Sequence, residues 1–593
     1  MHVHQLETAS LVLRFDPFSS TVSLKERDSD VPLIQVNHPV FLAPWLDGSS
    51  QNVKLTDICG ERDTLTFQYE CSSFSEMTVQ FVARDQEDAL DFSCSFVPHG
   101  DTHLNRLDLF PEGTGLNFQE LVNFRNRHHT HRTWPELLLG GKGCETSTDS
   151  TDWQFAPHPT AFALVHNEVS LFCGMLDLAQ TFGMRFAAEN YQVRHWFLDF
   201  GAKPHGLCLR ANQRFDSPTF RLYSRKNRDP YQLHGEFGDM LVRAGRIPDP
   251  ILKHRETWWQ EPLYCTWIDQ CLGSDARIAD ELQEQAQVAE ENSAVTFLND
   301  ALVRRAVAEI ENEKLPIRTI LIDDGWSVTR GQWEPEPSRF PDLRKLVDDL
   351  HEKGFKVVVW WNWAEISPSA VVNPAHLMGK GKLNRHGFRM RDYSNPLTQE
   401  EYLKPLFRKL FSSESDCFDL DGVKTDFLAD KVHPDMPLFD PSWRGEENYI
   451  YHVTRLFYTE LKAIKPDAVH IGCAGNYWLA EFIDINRTYD IPSGNWFDHE
   501  ERARMLRATT PGCPVAYDFH NFLEGMTLYF KSARRLGASV QIGNVLYYRN
   551  NRFSTPQITD STYRKVVHAG LMSANPIFSR LHGLHIPAPV KAD

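Results

Sequence analysis

In Phe418-Asp419-Leu420-Asp421-Gly422-Val423-Lys424-Thr425-Asp426-Phe427, an apolar run of Phe418, Leu420 and Val423 leads into Lys-Thr-Asp-Phe. Such a run predicts a buried parallel strand, and an aspartate at its end is expected at the rim of a barrel, where carboxylates do chemistry. Side chains along a strand alternate with period two, so Lys424 shares a face with Asp426 and lowers its pKa. An aspartate held ionised in this way is a nucleophile. The plain alternative is a buried Lys/Asp ion pair at a strand end, and only the rest of the chain separates the two.

Around this stretch, strand and helix patterns alternate from about Ile251 onward, the mark of a parallel sheet with crossover helices. The predicted strands are Leu263 to Ile268, Ile317 to Asp323, Lys356 to Trp361, Phe418 to Asp426, Ala468 to Cys473, Ile483 to Asp490, Val515 to Phe519 and Ser539 to Leu546. Between the second and third, Leu343, Leu346, Val347 and Leu350 fall at helical spacing, and Lys353-Gly354 supplies a C-cap. A second helix is expected from about Asn299 to Glu313. Eight such strands fit a (β/α)₈ barrel, whose site lies at the C-terminal strand ends.

Polar and aromatic residues collect there. The first strand runs into Trp267, and the second ends Asp323-Asp324-Gly325-Trp326. The third ends Val359-Trp360-Trp361-Asn362-Trp363, and the fourth carries Lys424 and Asp426. The fifth gives Cys473 and Asn476, the sixth Arg487 and Asp490, the seventh Asp518 and His520. One barrel with acids and tryptophans at so many strand ends is built for chemistry.

Upstream, Met1 to about Arg246 reads as strand after strand. Ser10 to Phe15, Thr64 to Tyr69, Met77 to Val82 and Ala89 to Phe96 are β-rich or alternating segments, separated by turn-rich pieces, and predict a large antiparallel sandwich. His128, His129 and His131 form a cluster, but metal ligands seldom come as adjacent residues and no carboxylate follows at useful spacing. Trp134, in the same irregular stretch, is either a packed loop anchor or a side chain reaching over a neighbouring domain's mouth. Ile247-Pro248-Asp249-Pro250 breaks both helix and ladder. The expected organisation is therefore a β-sandwich over residues 1–246, a catalytic barrel over 247–555, and a last barrel helix with a short tail over 556–593.

Bulk properties narrow the function. The 593 residues exceed what one core supports. A net charge of −17 disfavours nucleic acid and anionic membranes as partners and leaves a neutral ligand, while 15 Trp and 38 Phe suit a site that stacks on sugar faces. No leader or membrane span is visible, and the 11 cysteines, an odd number without a C-x-x-C pair, read as reduced thiols in a cytoplasm. The chemistry expected of aspartates with tryptophans and no metal cluster is glycosidic cleavage by two carboxyl groups. Asp426 supplies the nucleophile. Asp490 is the best-placed acid/base, Asp498 a reserve, and Asp484 sits at the wrong end of its strand. Asp323 and Asp324 read as acceptors for sugar hydroxyls, and Arg487 either depresses the acid's pKa or holds hydroxyls.

Taken in order, Asp323-Asp324-Gly325-Trp326, Phe340-Pro341-Asp342-Leu343, His351-Glu352-Lys353-Gly354, Val359-Trp360, Lys424-Thr425-Asp426 and Arg487 with Asp490 resemble the α-galactosidase clan of glycoside hydrolases. The likeness covers about Leu263 to Asp498 and is greatest to family 36, which includes α-galactosidases and raffinose synthases. Tyr264-Cys265-Thr266-Trp267 looks like the raffinose-synthase branch, and Lys-Thr-Asp-Phe is also similar to family 31 α-glucosidases and α-xylosidases. The resemblance implies an N-terminal β-supersandwich, a catalytic barrel, no cofactor or metal, and retention of the α configuration through a glycosyl-enzyme on Asp426, with Asp490 as acid/base. It further implies a pocket in which Asp323 and Asp324 hold the terminal sugar's hydroxyls and Trp360 and Lys424 line its walls; Trp267, Trp326, Cys473 and Arg487 are expected beside them. Two departures stand out in the barrel. Arg487 precedes Asp490 by three residues where the α-galactosidases have four, and the family's W-x-E-P becomes Trp-Trp-Asn-Trp. The family's C-terminal β-domain is expected to be absent or vestigial. The expected activity is an exo-acting α-glycosidase, on α-galactosides first, with N-acetylgalactosamine, glucose or xylose as other sugars. A transglycosylase of raffinose-synthase type and a degenerate sugar-binding protein are the alternatives, and a homo-oligomer is compatible with all of these.

Overall fold

The computed structural model describes residues 4–37, 41–111, 113–114, 120–122, 160–166, 169–189, 192–226, 228–282, 293–384, 387–428, 432–433, 435–472, 476–488, 496–520, 522–551 and 553–574. They fall into two compact units, one of Met1–Asp249 with Ala429–His452 and one of Pro250–Leu428 with Val453–Asp593. The His128, His129 and His131 cluster and Trp134 lie outside the described residues.

The first unit is a set of antiparallel sheets. Its largest has nine strands, among them Lys54–Gly60, Thr64–Cys71, Phe74–Arg84, Ala89–Pro98 and Phe220–Lys226. Alternation dictates the layering. Along Phe74–Arg84 the residues Met77, Val79, Phe81 and Ala83 are buried, while Glu76, Gln80 and Arg84 face water. Phe81 of the inward set meets Phe41, Phe67 and Phe92, Phe41 meets Phe67, and Phe110 packs on Phe41 and Phe92, in edge-to-face and stacked pairs with centroids 4.6–6.0 Å apart. A sandwich is therefore what this half forms, as its patterning predicts.

The second unit contains a closed parallel barrel of eight strands: Leu263–Cys265, Thr319–Ile322, Lys356–Asn362, Gly422–Asp426, Val469–Gly472, Ile485–Arg487, Val515–Tyr517 and Ser539–Ile542. Seven lie within their predicted segments, and the third runs one residue past its own, to Asn362. Every residue of Thr319–Ile322 and Gly422–Asp426 is buried, as expected of strands covered on both faces. The helix Leu343–Glu352 is capped by Asp342, which accepts the N–H of Lys345 at 2.9 Å, and it buries Leu343, Leu346, Val347 and Leu350. The helix Asp300–Asn312 is capped by Asn299 and buries Leu302, Val303, Ala306, Val307 and Ile310.

The fourth strand starts four residues later than the apolar run suggests. Asp419 has φ +57°, which ends any ladder there. Asp421 instead anchors the strand's entry: its carboxylate takes Lys356 at 2.9 Å, Lys465 at 3.1 Å, His351 at 2.7 Å and the Val357 N–H at 2.9 Å. Gly422 follows because nothing larger fits, since a Cβ there would lie 2.3 Å from the Val469 carbonyl oxygen. No described helix is long and apolar enough to cross a membrane.

Candidate active site

The parallel register fixes which side chains meet at the C-terminal mouth of the barrel. Trp360 pairs with Lys424 and Asn362 with Asp426 across the third and fourth strands. The second strand ends at Ile322, so Asp323 and Asp324 leave it at the same level. The turn that follows needs glycine: Gly325 has φ +114°, and a Cβ there would meet the Val295 carbonyl oxygen at 2.4 Å.

Asp426 is 5 % exposed, and donors from three strands converge on it. Arg487, from the sixth strand, donates to Oδ1, joined by the Phe427 N–H at 3.1 Å; the Trp360 indole N–H donates to Oδ2 at 2.9 Å. Lys424 lies 3.9 Å from Oδ2. Burial by itself would raise the Asp426 pKa, but Arg487 first and Lys424 second outweigh it, and the carboxyl is held well below the usual range. The sequence assigns this task to Lys424 alone. The structure gives Lys424 a closer partner, Asp323 at 2.7 Å, and makes Arg487 the cation in contact with Asp426. The Lys424 pKa is correspondingly raised, its desolvation and the repulsion of Arg487 being outweighed by Asp323, Cys265 and Asp426.

Asp323 also receives the Cys265 thiol at 3.1 Å, and its backbone N–H donates to Thr266 Oγ1 at 2.9 Å. Asp324 is the more open acid and its pKa is raised, chiefly by burial, with Arg330 opposing. Arg330 sits at the tip of a hairpin made by Ser327–Thr329 and Gln332–Pro335. It bridges Asp324 at 3.0 Å and Glu365 at 3.1 Å, and lies 5.3–5.5 Å from the ring centroids of Trp360, Phe388 and Phe427. Glu365 takes the Asn362 side-chain N–H at 2.6 Å.

Asp323, Asp324, Trp360, Lys424 and Asp426 are thus brought together, and Trp267 opens the helix Trp267–Leu282 at the end of the first strand, half-buried. Two expectations are corrected. Trp326, expected on the sugar, is 1 % exposed, spends its N–H on the Trp360 carbonyl at 2.8 Å and packs on Trp333; it supports the third strand from behind. Arg487, read as depressing an acid's pKa or holding hydroxyls and placed among the sugar-binding residues, is wholly buried between Asp426 and Asp518 and serves the carboxylates instead. Asp484 is where the sequence puts it, at the start of the sixth strand, paired with Lys253 and Lys462 at 2.9 Å each. Asp490 and Cys473 lie outside the described residues. Arg330 and Glu365 have no sequence signal of their own, because each depends on a turn or a partner far along the chain.

Residues 291–522 match the TIM-barrel domain of the glycosyl hydrolases family 31. A curated relative, the A type blood α-D-galactosamine galactosaminidase of Flavonifractor plautii, is 37 % identical over 49 residues, 8 % of this chain and only 4 % of that protein's length. Among solved structures, the α-galactosidase from Lactobacillus brevis shares the fold with a TM-score of 0.53 at 12 % identity, over 98 % of this chain and 84 % of that one. A family 36 α-galactosidase from Geobacillus stearothermophilus in complex with raffinose gives 0.53 at 12 %, over 99 % and 87 %. The α-N-acetylgalactosaminidase of Bifidobacterium bifidum gives 0.62 at 12 %, over 97 % and 93 %. Over residues 291–522 the chain is thus similar to the TIM-barrel domain of the glycosyl hydrolases family 31, and its fold is shared with family 36 α-galactosidases and an α-N-acetylgalactosaminidase.

Proposed function

We propose that the chain is a retaining, exo-acting α-glycosidase for terminal α-linked sugars of galactose configuration, galactose or N-acetylgalactosamine. The observation that carries this is the setting of Asp426: a buried carboxyl group at a barrel strand end, met by Arg487 and the Trp360 N–H, which favour its ionised form. Such a group attacks an anomeric carbon. The C1–O bond to Asp426 forms as the glycosidic C–O bond breaks, and the leaving oxygen takes the electron pair together with a proton from Asp490, which later removes a proton from the incoming water. Two inversions at one carbon retain the configuration. Asp323 and Asp324 accept from the sugar hydroxyls, with Lys424 and Arg330 holding the two carboxyl groups in place. The relatives named above act on galactosides and galactosaminides, which supports the choice of sugar.

The test is a panel of nitrophenyl α-glycosides (galactose, N-acetylgalactosamine, glucose, xylose) with the product's anomer followed by NMR. A first-formed α anomer from a galacto-configured substrate supports the proposal, and Asp426→Ala abolishes that turnover. A first-formed β anomer overturns the mechanism; a chain that binds these sugars and turns over none is a binding protein instead.

A further inference from the structure

Behind Asp426 a line of buried side chains crosses the barrel. Gln541, on the eighth strand, and Arg487, on the sixth, both donate to Asp518, one residue past the seventh strand; the other arm of Arg487 donates to Asp426. Gln541, Asp518 and Arg487 are all 0 % exposed. Asp518 is itself rigidly set: its N–H donates to Thr488 Oγ1 at 3.0 Å, its carbonyl takes the Tyr529 hydroxyl at 2.9 Å, and its Oδ1 also receives the Phe519 N–H at 3.0 Å. One carboxylate oxygen thus holds Gln541 and a backbone amide, and the other holds Arg487. Wholly buried and engaged at both oxygens, Asp518 is directed at the arginine.

We propose that Asp518 is a positioning residue that restricts Arg487 to a one-armed bond with Asp426, an inference that rests on Asp426 being the nucleophile. A guanidinium prefers to fork both amino groups onto one carboxylate. With one arm committed to Asp518, Arg487 keeps Asp426 ionised and still leaves the carboxylate reactive toward carbon. Without Asp518, the fork closes on Asp426, one buried negative charge is lost beside it, and the nucleophile is held too tightly to attack.

The experiment uses the full-length protein and a 2-deoxy-2-fluoro glycosyl inactivator of matching stereochemistry, with the labelled residue identified by peptide mass. It compares the wild type with Asp518→Asn, Asp518→Ala and Gln541→Met, and measures in parallel the inhibition constant of the free product sugar. Labelling of Asp426 is expected to slow about 10-fold in Asp518→Asn, about 100-fold in Asp518→Ala and about threefold in Gln541→Met, as weakened or lost charge-assisted hydrogen bonds would give. Sugar affinity stays within threefold. Asp518→Asn keeps the shape of the site, so it decides the matter if the alanine variant does not fold. Labelling at wild-type rate in Asp518→Asn, or rate and affinity falling together, overturns the assignment. Wild-type protein labelled at another residue overturns the nucleophile itself, and this inference falls with it.

Discussion

Replacing Lys424 with methionine keeps the bulk of the side chain and removes its charge, which isolates one of the two cations that hold Asp426 ionised. In the structure Nζ stands 3.9 Å from Asp426 Oδ2 and 2.7 Å from Asp323 Oδ2. At an effective dielectric of 20 the first separation corresponds to about 4 kcal/mol, which is about three pKa units. Loss of the bridge also leaves Asp323 and Asp426 as unscreened like charges, which acts in the same direction. Arg487 remains, as do Asp324 and Arg330 at the rim, so the carboxyl of Asp426 still titrates as an acid shifted by its surroundings. The sign is set by the depressed folded-state pKa: the ionised form prevails across the neutral and mildly acid range in the wild type and is lost only far into acid. With Asp426 as the proposed nucleophile, covalent inactivation, which needs that group alone, is therefore expected to run flat from about pH 8 to about pH 4 in the wild type and to acquire an acid limb displaced upward by about three units in Lys424→Met. The assay is the second-order inactivation rate against pH, with circular dichroism at each pH to show that both proteins stay folded. Two profiles that superimpose after scaling would refute the view that Lys424 acts on Asp426 through its charge.

Trp360→Phe retains a ring and deletes the N–H that reaches Asp426 at 2.9 Å; a hydrogen bond to a charged group is worth about 1.5–3 kcal/mol, so kcat/KM on an aryl glycoside is expected to fall about 10- to 150-fold with little change in urea stability. Asp421→Ala tests the opposite end of the same strand. It takes the buried partner from Lys356, Lys465 and His351, which keep only more exposed acids, and a cost of about 3 kcal/mol is expected in urea unfolding at pH 7, with kcat of the folded enzyme unchanged. The Asp421 carboxyl is held well below the ordinary range, its burial being outweighed by His351, Lys465 and the Val357 N–H, so the wild type's advantage is full above about pH 4 and shrinks as pH falls.

The barrel was legible because its strands are short apolar runs whose ends are marked by acids and tryptophans, and burial on both faces leaves that signal undiluted. The sandwich was legible for the opposite reason, since Phe74–Arg84 alternates so regularly that only a sheet buries one face of it. What the sequence hid is pairing. Lys424 and Asp426 are two apart and share a face, so a local reading joins them, yet the lysine bends to Asp323, about a hundred positions earlier in the chain. Trp326 looks like a sugar platform because it follows two acids, and only the packing of Trp333 and the carbonyl of Trp360 show that it faces inward. Arg330 reaches the mouth through a hairpin whose tip conformation depends on Gly331 at φ +93°. Neighbours in sequence predict faces; they do not predict which of several charges on a face will touch.

The charges at the mouth are shared among several partners, and the sharing has a use. Among the described residues, Asp323, Asp426 and Asp518 face Lys424 and Arg487, and Asp324 and Glu365 face Arg330. Burying charge is costly, and a scaffold selected only for stability would replace these residues with apolar ones. Carboxylates gathered in this way make sense opposite a transition state that is itself positive. Cleavage of a glycoside spreads cationic character over C1 and the ring oxygen, and fixed anions around it stabilise that charge without reorganising. On this account Arg487 and Lys424 set how much of the negative charge is left at Asp426. With Asp426 as the proposed nucleophile, a further cation would blunt its attack, and the loss of one would raise the pH at which it takes up a proton.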